Sequence, residues 1–338
     1  VEQNIKNGDG MKKRNDTLDL IRGIAILVVI TGHALLSVLY DRAADNWLYQ
    51  LIISFQMALL MFVSGISAGY SFPSEHPGAF LRKKTMRLFV PYVCWTVLYT
   101  VLNTWSCGKQ WNIGIFWEAF YDSEFWFLRF LFLFYVVLAI VNAAYQVFHK
   151  KAPLPVWMIL SAGGVYVMTK IPYLNKSVSV WYYLWFLAGL AVYSQMEWIR
   201  KNTVLFHVVG VGVLDVMAVM QIAIAWRGEV RGNAAGYVWV IGVCYLCYFL
   251  KKILPASLTR GIADIGKNTL PVYAVHWCLL FAPWHNAGLW VKFVAAIALP
   301  DWILVTGFFL YLLLGTLAIT WLLKKFKVTR VLLLGENR

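Results

Sequence analysis

Apolar runs long enough to cross a bilayer alternate along this chain with short polar punctuation. The pattern predicts ten membrane helices, at about 17–40, 47–71, 87–105, 125–148, 155–170, 179–198, 203–226, 234–250, 268–284 and 302–323. The fifth is short, and the ends of the ninth are loosely set. Between the last two runs, LWVKFVAAIALP is apolar enough for a half-helix or re-entrant piece, which keeps eleven segments open. The expected organisation is a polar, basic and disordered N-terminal segment over 1–16, one polytopic unit over 17–323 and a short tail over 324–338. Met11 suits a natural start, with residues 1–10 as a leader. MKKRN resembles the basic opening of a signal peptide, but the apolar run after it is too long and lacks a small-residue cleavage site, so it is expected to remain as a helix.

Composition sharpens this to an all-α integral membrane protein. Hydrophobic residues make up 61% of the chain and charged residues only 14%, against about a quarter charged in soluble domains. The 17 Trp suit rings that anchor helices at the water interface. A formal charge of +14 would suit nucleic acid, but the Lys and Arg stand in short clusters between apolar runs. With an inside N-terminus, 22 of the 30 fall inside, 7 outside and Arg129 within a run, which predicts an N-in, C-in arrangement and no nucleic-acid partner. Five Cys give no disulfide framework. Cys244 and Cys247 form a CxxC in an apolar run without a second ligand pair, which reads as packing; no metal is expected. Cys107, in a predicted outer loop, could be a free thiol.

The chemistry concentrates in the first run, Thr17 to Tyr40, which carries Asp19, Arg22 and His33. Eleven helical steps of roughly 100° return to within about 20° of the start, so Arg22 and His33 share a face, about 16 Å apart along the axis. Ionisable groups inside a membrane are expensive, so two on one face point to a polar interior. A neutral imidazole can take a proton from a hydroxyl, although a histidine bonded to a neighbouring helix fits the same position. Arg22 keeps its charge and suits an anion such as phosphate, with Asp19 three residues earlier to hold it. Snorkelling to lipid headgroups is the competing use. In PSEHPGAFLRKKTMRLFVP, the cluster Arg82, Lys83, Lys84 and Arg87 is expected at the same membrane edge, where Lys83, Lys84 and Arg87 would share a helix face and could grip a polyphosphate with Arg22. Such a cluster is more usually a topology signal in contact with lipid phosphates; its place on the same membrane side as Arg22 favours the specific use. Ser64 and Gly65 favour close helix approach. Arg129 needs a partner from another helix. Asp215 falls at mid-depth of the seventh run, and Tyr273 and His276 share a face at a depth comparable to His33.

In their order along the chain, these residues resemble the acyltransferase 3 family of membrane acyltransferases. The match is carried by D-x-x-R-G-I-A at Asp19–Ala25 followed by His33, by MFVSG at Met61–Gly65, by the basic run ending at Pro91, and by WFL at Trp126–Leu128 with the late IGKNTLPVYAVH. The resemblance implies about ten membrane helices, a cytoplasmic acyl-CoA donor, usually acetyl-CoA, and O-acylation of a cell-envelope carbohydrate or lipid-linked glycan at a bacterial plasma membrane. It assigns His33 as catalytic, Arg22 as catalytic or CoA-contacting and, more loosely, Arg82 and Arg87 to the basic motif. Many relatives carry a fused SGNH-type domain, not seen in this sequence, and the family's carboxylate-containing fourth-run pattern is not cleanly present. The expected function is therefore an acyl-CoA-dependent O-acyltransferase. A homodimer is left open. The competing readings are a transporter using Arg22, His33, Asp215 and His276 as a pathway, and a non-catalytic scaffold.

Overall fold

The computed structural model describes residues 16–72, 76–106, 112–148, 153–172, 175, 178–227, 233–285 and 287–336; the segment expected to be disordered and Cys107 lie outside this set. The helices in chain order are α1 (Asp16–Leu39), α2 (Trp47–Gly69), α3 (Pro77–Lys84), α4 (Val90–Ser106), α5 (Ile113–Tyr121), α6 (Trp126–Val147), α7 (Leu154–Met168), α8 (Val180–Ser194), α9 (Met196–Lys201), α10 (Thr203–Arg227), α11 (Asn233–Ile253), α12 (Ala256–Lys267), α13 (Thr269–His285), α14 (Ala287–Ala296), α15 (Asp301–Lys325) and α16 (Lys327–Leu332). No strand occurs among the described residues.

Every apolar run marked in the sequence is helical, and the piece between the last two holds α14. Among the described residues six helices are long and apolar enough to cross a membrane: Asp16–Asp45, Trp47–Gly69, Pro77–Ser106, Trp126–Val147, Thr203–Met220 and Asp301–Lys325. Pro155–Met168, Val180–Ser194 and Thr269–Leu280 are apolar but shorter. The chain is an all-helical, multi-pass membrane protein.

Local chemistry sets the helix boundaries. Asp16 and Asp19 stand in the first turn of α1, where carboxylates complement the helix dipole. Asn46 caps α2 by accepting from the Leu48 and Tyr49 backbone N–H groups at 3.1 and 3.0 Å. The basic loop of the sequence is itself helical: α3 runs through a π-helical turn at Thr85–Phe89 into α4.

The hub is α1, which packs against α2, α11, α12, α13 and α15. Glycines bring its backbone into contact with α12. A Cβ on Gly266 would stand 1.8 Å from the Asp19 carbonyl oxygen, and one on Gly23 would stand 2.0 Å from that of Ile262. The α2–α8 crossing is built the same way, with a Cβ on Gly65 placed 1.9 Å from the Phe186 oxygen and one on Gly189 placed 1.9 Å from the Phe62 oxygen. Where lipid is as apolar as leucine, such close backbone approach is the main source of helix affinity. The expectation of close packing at Gly65 is met in this crossing.

Contacts at the helix termini define two ends of the bundle. At one, Lys251 donates to Thr17 Oγ1 at 3.0 Å and Lys324 pairs with Glu336 at 3.0 Å. At the other, Arg42 pairs with Asp301 at 3.0 Å and the Trp290 indole donates to the Ser37 carbonyl at 2.7 Å. The chain beyond α16 folds back onto α4. Trp95 donates to the Leu333 carbonyl at 2.8 Å, and Gly335, at φ +66°, lies against the Arg87 backbone. A Cβ at Gly335 would come within 2.5 Å of the Arg87 oxygen, so both space and backbone angle require glycine there. Cys244 and Cys247 are free thiols packed in the helical core, Cys247 fully buried.

Candidate active site

Because α1 is an unbroken α-helix from Asp16 to Leu39, Arg22 and His33 do share a face, about 16 Å apart along the axis. Each meets a different set of neighbours. Arg22 Nη1 pairs with Asp19 at 2.8 Å; the carboxylate is 1% exposed and the guanidinium 24%. The other nitrogen, Nη2, donates to Ser67 Oγ on α2, and Ser67 in turn donates to the Val63 carbonyl at 2.6 Å. The guanidinium is therefore clamped from two helices. Its charge also interacts with Arg87 and with Tyr135 of α6. Lys84 Nζ lies 4.0 Å above the Tyr135 ring and 5.4 Å above the Phe80 ring, while Tyr135 donates to the Ser64 carbonyl at 3.2 Å.

Lys84 thus lies over the Tyr135 ring, and the charges of Arg22 and Arg87 are within electrostatic reach of the same phenol, with the Asp19 carboxylate on Arg22. Like charges held together are costly, and a polyanion relieves that cost through charge-assisted hydrogen bonds. Arg82 and Lys83 stand exposed on α3. The single face expected for Lys83, Lys84 and Arg87 assumed a regular α-helix, and the π-helical turn that begins at Thr85 changes the rotation between Lys84 and Arg87. Ser64, half-buried, donates to the Leu60 carbonyl at 2.7 Å within its own helix, so its hydroxyl is part of the scaffold.

Further along α1, the half-buried His33 ring lies 5.2 Å from the His276 ring and 4.8 Å from Trp277, centroid to centroid. His276 is fully buried. Its Nδ1 lies 3.1 Å from the Val272 carbonyl oxygen, which can only accept, so Nδ1 carries the hydrogen and Nε2 keeps its lone pair. Nε2 has no hydrogen-bond partner among the described residues. A buried acceptor of this kind is costly to leave unmet, by about 1–3 kcal/mol. The Tyr273 ring lies tilted 5.7 Å from that of His276, and its hydroxyl donates to the Glu124 carbonyl at 3.1 Å. Arg129 finds the partner it needs in the Phe120 carbonyl at the end of α5.

The structure therefore assembles two groups along α1: a cationic cluster of Arg22, Lys84 and Arg87, and an imidazole pair of His33 and His276 flanked by Tyr273. Asp215 belongs to neither. It is exposed on α10, which packs on α11, and so the four-residue pathway of the transporter reading is not assembled. Ser67, Tyr135 and Trp277 complete the two groups and were not anticipated. In the sequence Ser67 looks like one more small packing residue in VSGISAG, and Tyr135 is buried in the aromatic run FLFLFY. Trp277 carried a faint signal, since it directly follows His276. Among the described residues no cluster of metal-ligating side chains occurs.

A family model described as an acyltransferase domain matches residues 15–326. The chain is also similar to nodulation protein NolL of Sinorhizobium fredii, at 29% identity over 92 residues. That stretch is 26% of this chain and 25% of the relative, so the likeness spans about a quarter of each. No solved structure matches.

Proposed function

We infer the function from one premise: the chain belongs to the acyltransferase domain family. It is a multi-pass membrane acyltransferase, and the reading developed here concerns its donor, acceptor and residues. The donor is an acyl-CoA, by preference acetyl-CoA, reaching from the cytoplasm the bundle end that carries Arg22, the end at which α1 begins and α15 finishes. The acceptor is a hydroxyl of a cell-envelope carbohydrate or lipid-linked glycan, at a bacterial plasma membrane.

The observation that carries this reading is that Arg22 and His33 share one face of the unbroken helix α1, Arg22 beside the basic side chains of α3 and the π-helical turn and His33 beside His276 of α13. The CoA phosphates bind at Arg22, Lys84 and Arg87, with exposed Arg82 and Lys83 drawing the polyanion in. The roughly 16 Å from Arg22 to His33 is a distance that an extended pantetheine arm covers, which leaves the thioester at the histidines. His33 then takes the acceptor hydroxyl's proton as its oxygen forms a bond to the thioester carbonyl carbon. The carbon–sulfur bond breaks, and the departing thiolate receives that proton from the imidazolium. Proton transfer of this kind contributes about 10²–10⁴ in rate. Asp19 and Ser67 hold Arg22 in place, and Tyr273 and Trp277 hold the two rings.

Purified protein supplied with acetyl-labelled acetyl-CoA and a membrane glycan fraction tests this directly. The expected result is saturable donor binding and label recovered as a base-labile ester on the glycan. Saturable uptake of glycan into sealed vesicles with no ester formed would contradict it.

A further inference from the structure

Between α4, α5, the turn at Asp122–Glu124 and the segment after α7 lies a cavity of about 730 Å³, within the size range of small-molecule sites. Its α4 wall, Thr96 to Asn103, stands about 14–24 Å along the axis from Arg87, well beyond the cationic cluster. Tyr99, Trp117 and Tyr121 contribute aromatic faces, and Glu118, Asp122 and Glu124 contribute carboxylates. No Lys, Arg or His lines it among the described residues.

This lining selects strongly. Three carboxylates and no cation repel phosphates, so the cavity is not a second seat for CoA. Ring faces match the C–H face of a sugar, while carboxylates accept hydrogen bonds from vicinal hydroxyls. Trp117 is 63% exposed and packs edge-on to Tyr121 at 5.3 Å, an arrangement that holds a flat apolar platform open rather than burying it. One wall is joined to the histidine pair by a chain of contacts. The Glu124 carbonyl accepts from Tyr273, whose ring lies against His276, which faces His33. Burial, reinforced by Asp122, holds the Glu124 carboxyl above the usual carboxylate range, so its protonated form can also donate to a hydroxyl.

We propose that this cavity binds the acceptor, as an uncharged polyhydroxylated ring stacked on Trp117 and hydrogen-bonded to Glu118, with the hydroxyl to be acylated passing Glu124 toward the histidine pair. The assignment of the ligand as acceptor rests on the acyltransferase reading above; the binding site itself does not.

Saturation-transfer NMR on the intact protein in detergent, with methyl glycosides of glucose, galactose and N-acetylglucosamine as probes, tests it. At least one glycoside gives signal on its C–H face, and Trp117→Ala and Glu118→Gln each weaken that binding at least tenfold. Both variants keep the wild-type melting temperature and acetyl-CoA affinity. No glycoside signal on wild-type protein, or glycoside binding unchanged in both variants, overturns the proposal, as does loss of acetyl-CoA binding in well-folded Trp117→Ala. Glycoside binding that depends on Trp117 in a protein that never binds acetyl-CoA would sink the donor assignment and leave the sugar site standing.

Discussion

Replacing His33 by alanine is expected to slow acyl transfer by about 10²–10⁴-fold while leaving acetyl-CoA binding at its wild-type strength. The separation follows from α1 itself. The groups assigned to the donor phosphates lie near its first turns, and His33 lies about 16 Å further along, against α13. Ring removal at a half-buried position leaves the Arg22 clamp and the Gly23–Gly266 crossing untouched. Single-turnover transfer of labelled acetyl groups, run beside equilibrium donor binding, measures both quantities. Wild-type turnover in this variant would move the base elsewhere, with the lone pair on His276 Nε2 as the next candidate.

Arg22→Ala should produce the complementary loss, weakening acetyl-CoA binding by about 10- to 150-fold, the equivalent of the 1.5–3 kcal/mol typical of a charged hydrogen bond. The same change strips Asp19, 1% exposed, of its cation, and breaking a buried pair by itself costs about 3–5 kcal/mol of stability. The double variant Asp19→Asn, Arg22→Ala separates the two effects because it also removes the stranded carboxylate. Binding measured by equilibrium dialysis stays weak in the double variant if Arg22 touches the donor. Recovery of affinity would make Arg22 a structural group instead.

Much of this architecture was legible in the chain, because hydrophobic length and basic punctuation report helices directly. The pairing of Asp19 with Arg22 and the common depth of His33 and His276 followed from helical spacing alone. What escaped was decided between helices. Ser67 reaches Arg22 only because α2 lies against α1, and Lys84 lies over the Tyr135 ring only because α3 packs on α6. The π-helical turn at Thr85–Phe89 interrupts a basic run that looks uniform, with Lys84 half-buried and Arg82, Lys83 and Arg87 exposed. The group that fixes a histidine tautomer proved to be a backbone carbonyl, that of Val272, which no side-chain pattern announces. Asp215 shows what a run alone leaves open: its place in the run gives its depth along α10, while helix rotation, which sets the side chain on the exposed side, is decided by the neighbours.

The central claim is that one helix seats the donor at its beginning and presents the thioester to an imidazole pair further along. An experimental structure of the protein with a non-hydrolysable acetyl-CoA analogue tests it most directly. The account predicts phosphate density against Arg22, Lys84 and Arg87, with the acetyl carbonyl beside His33 and His276. An analogue seated in the cavity of Trp117 and Glu118, or with its acetyl group directed away from α1, would contradict it.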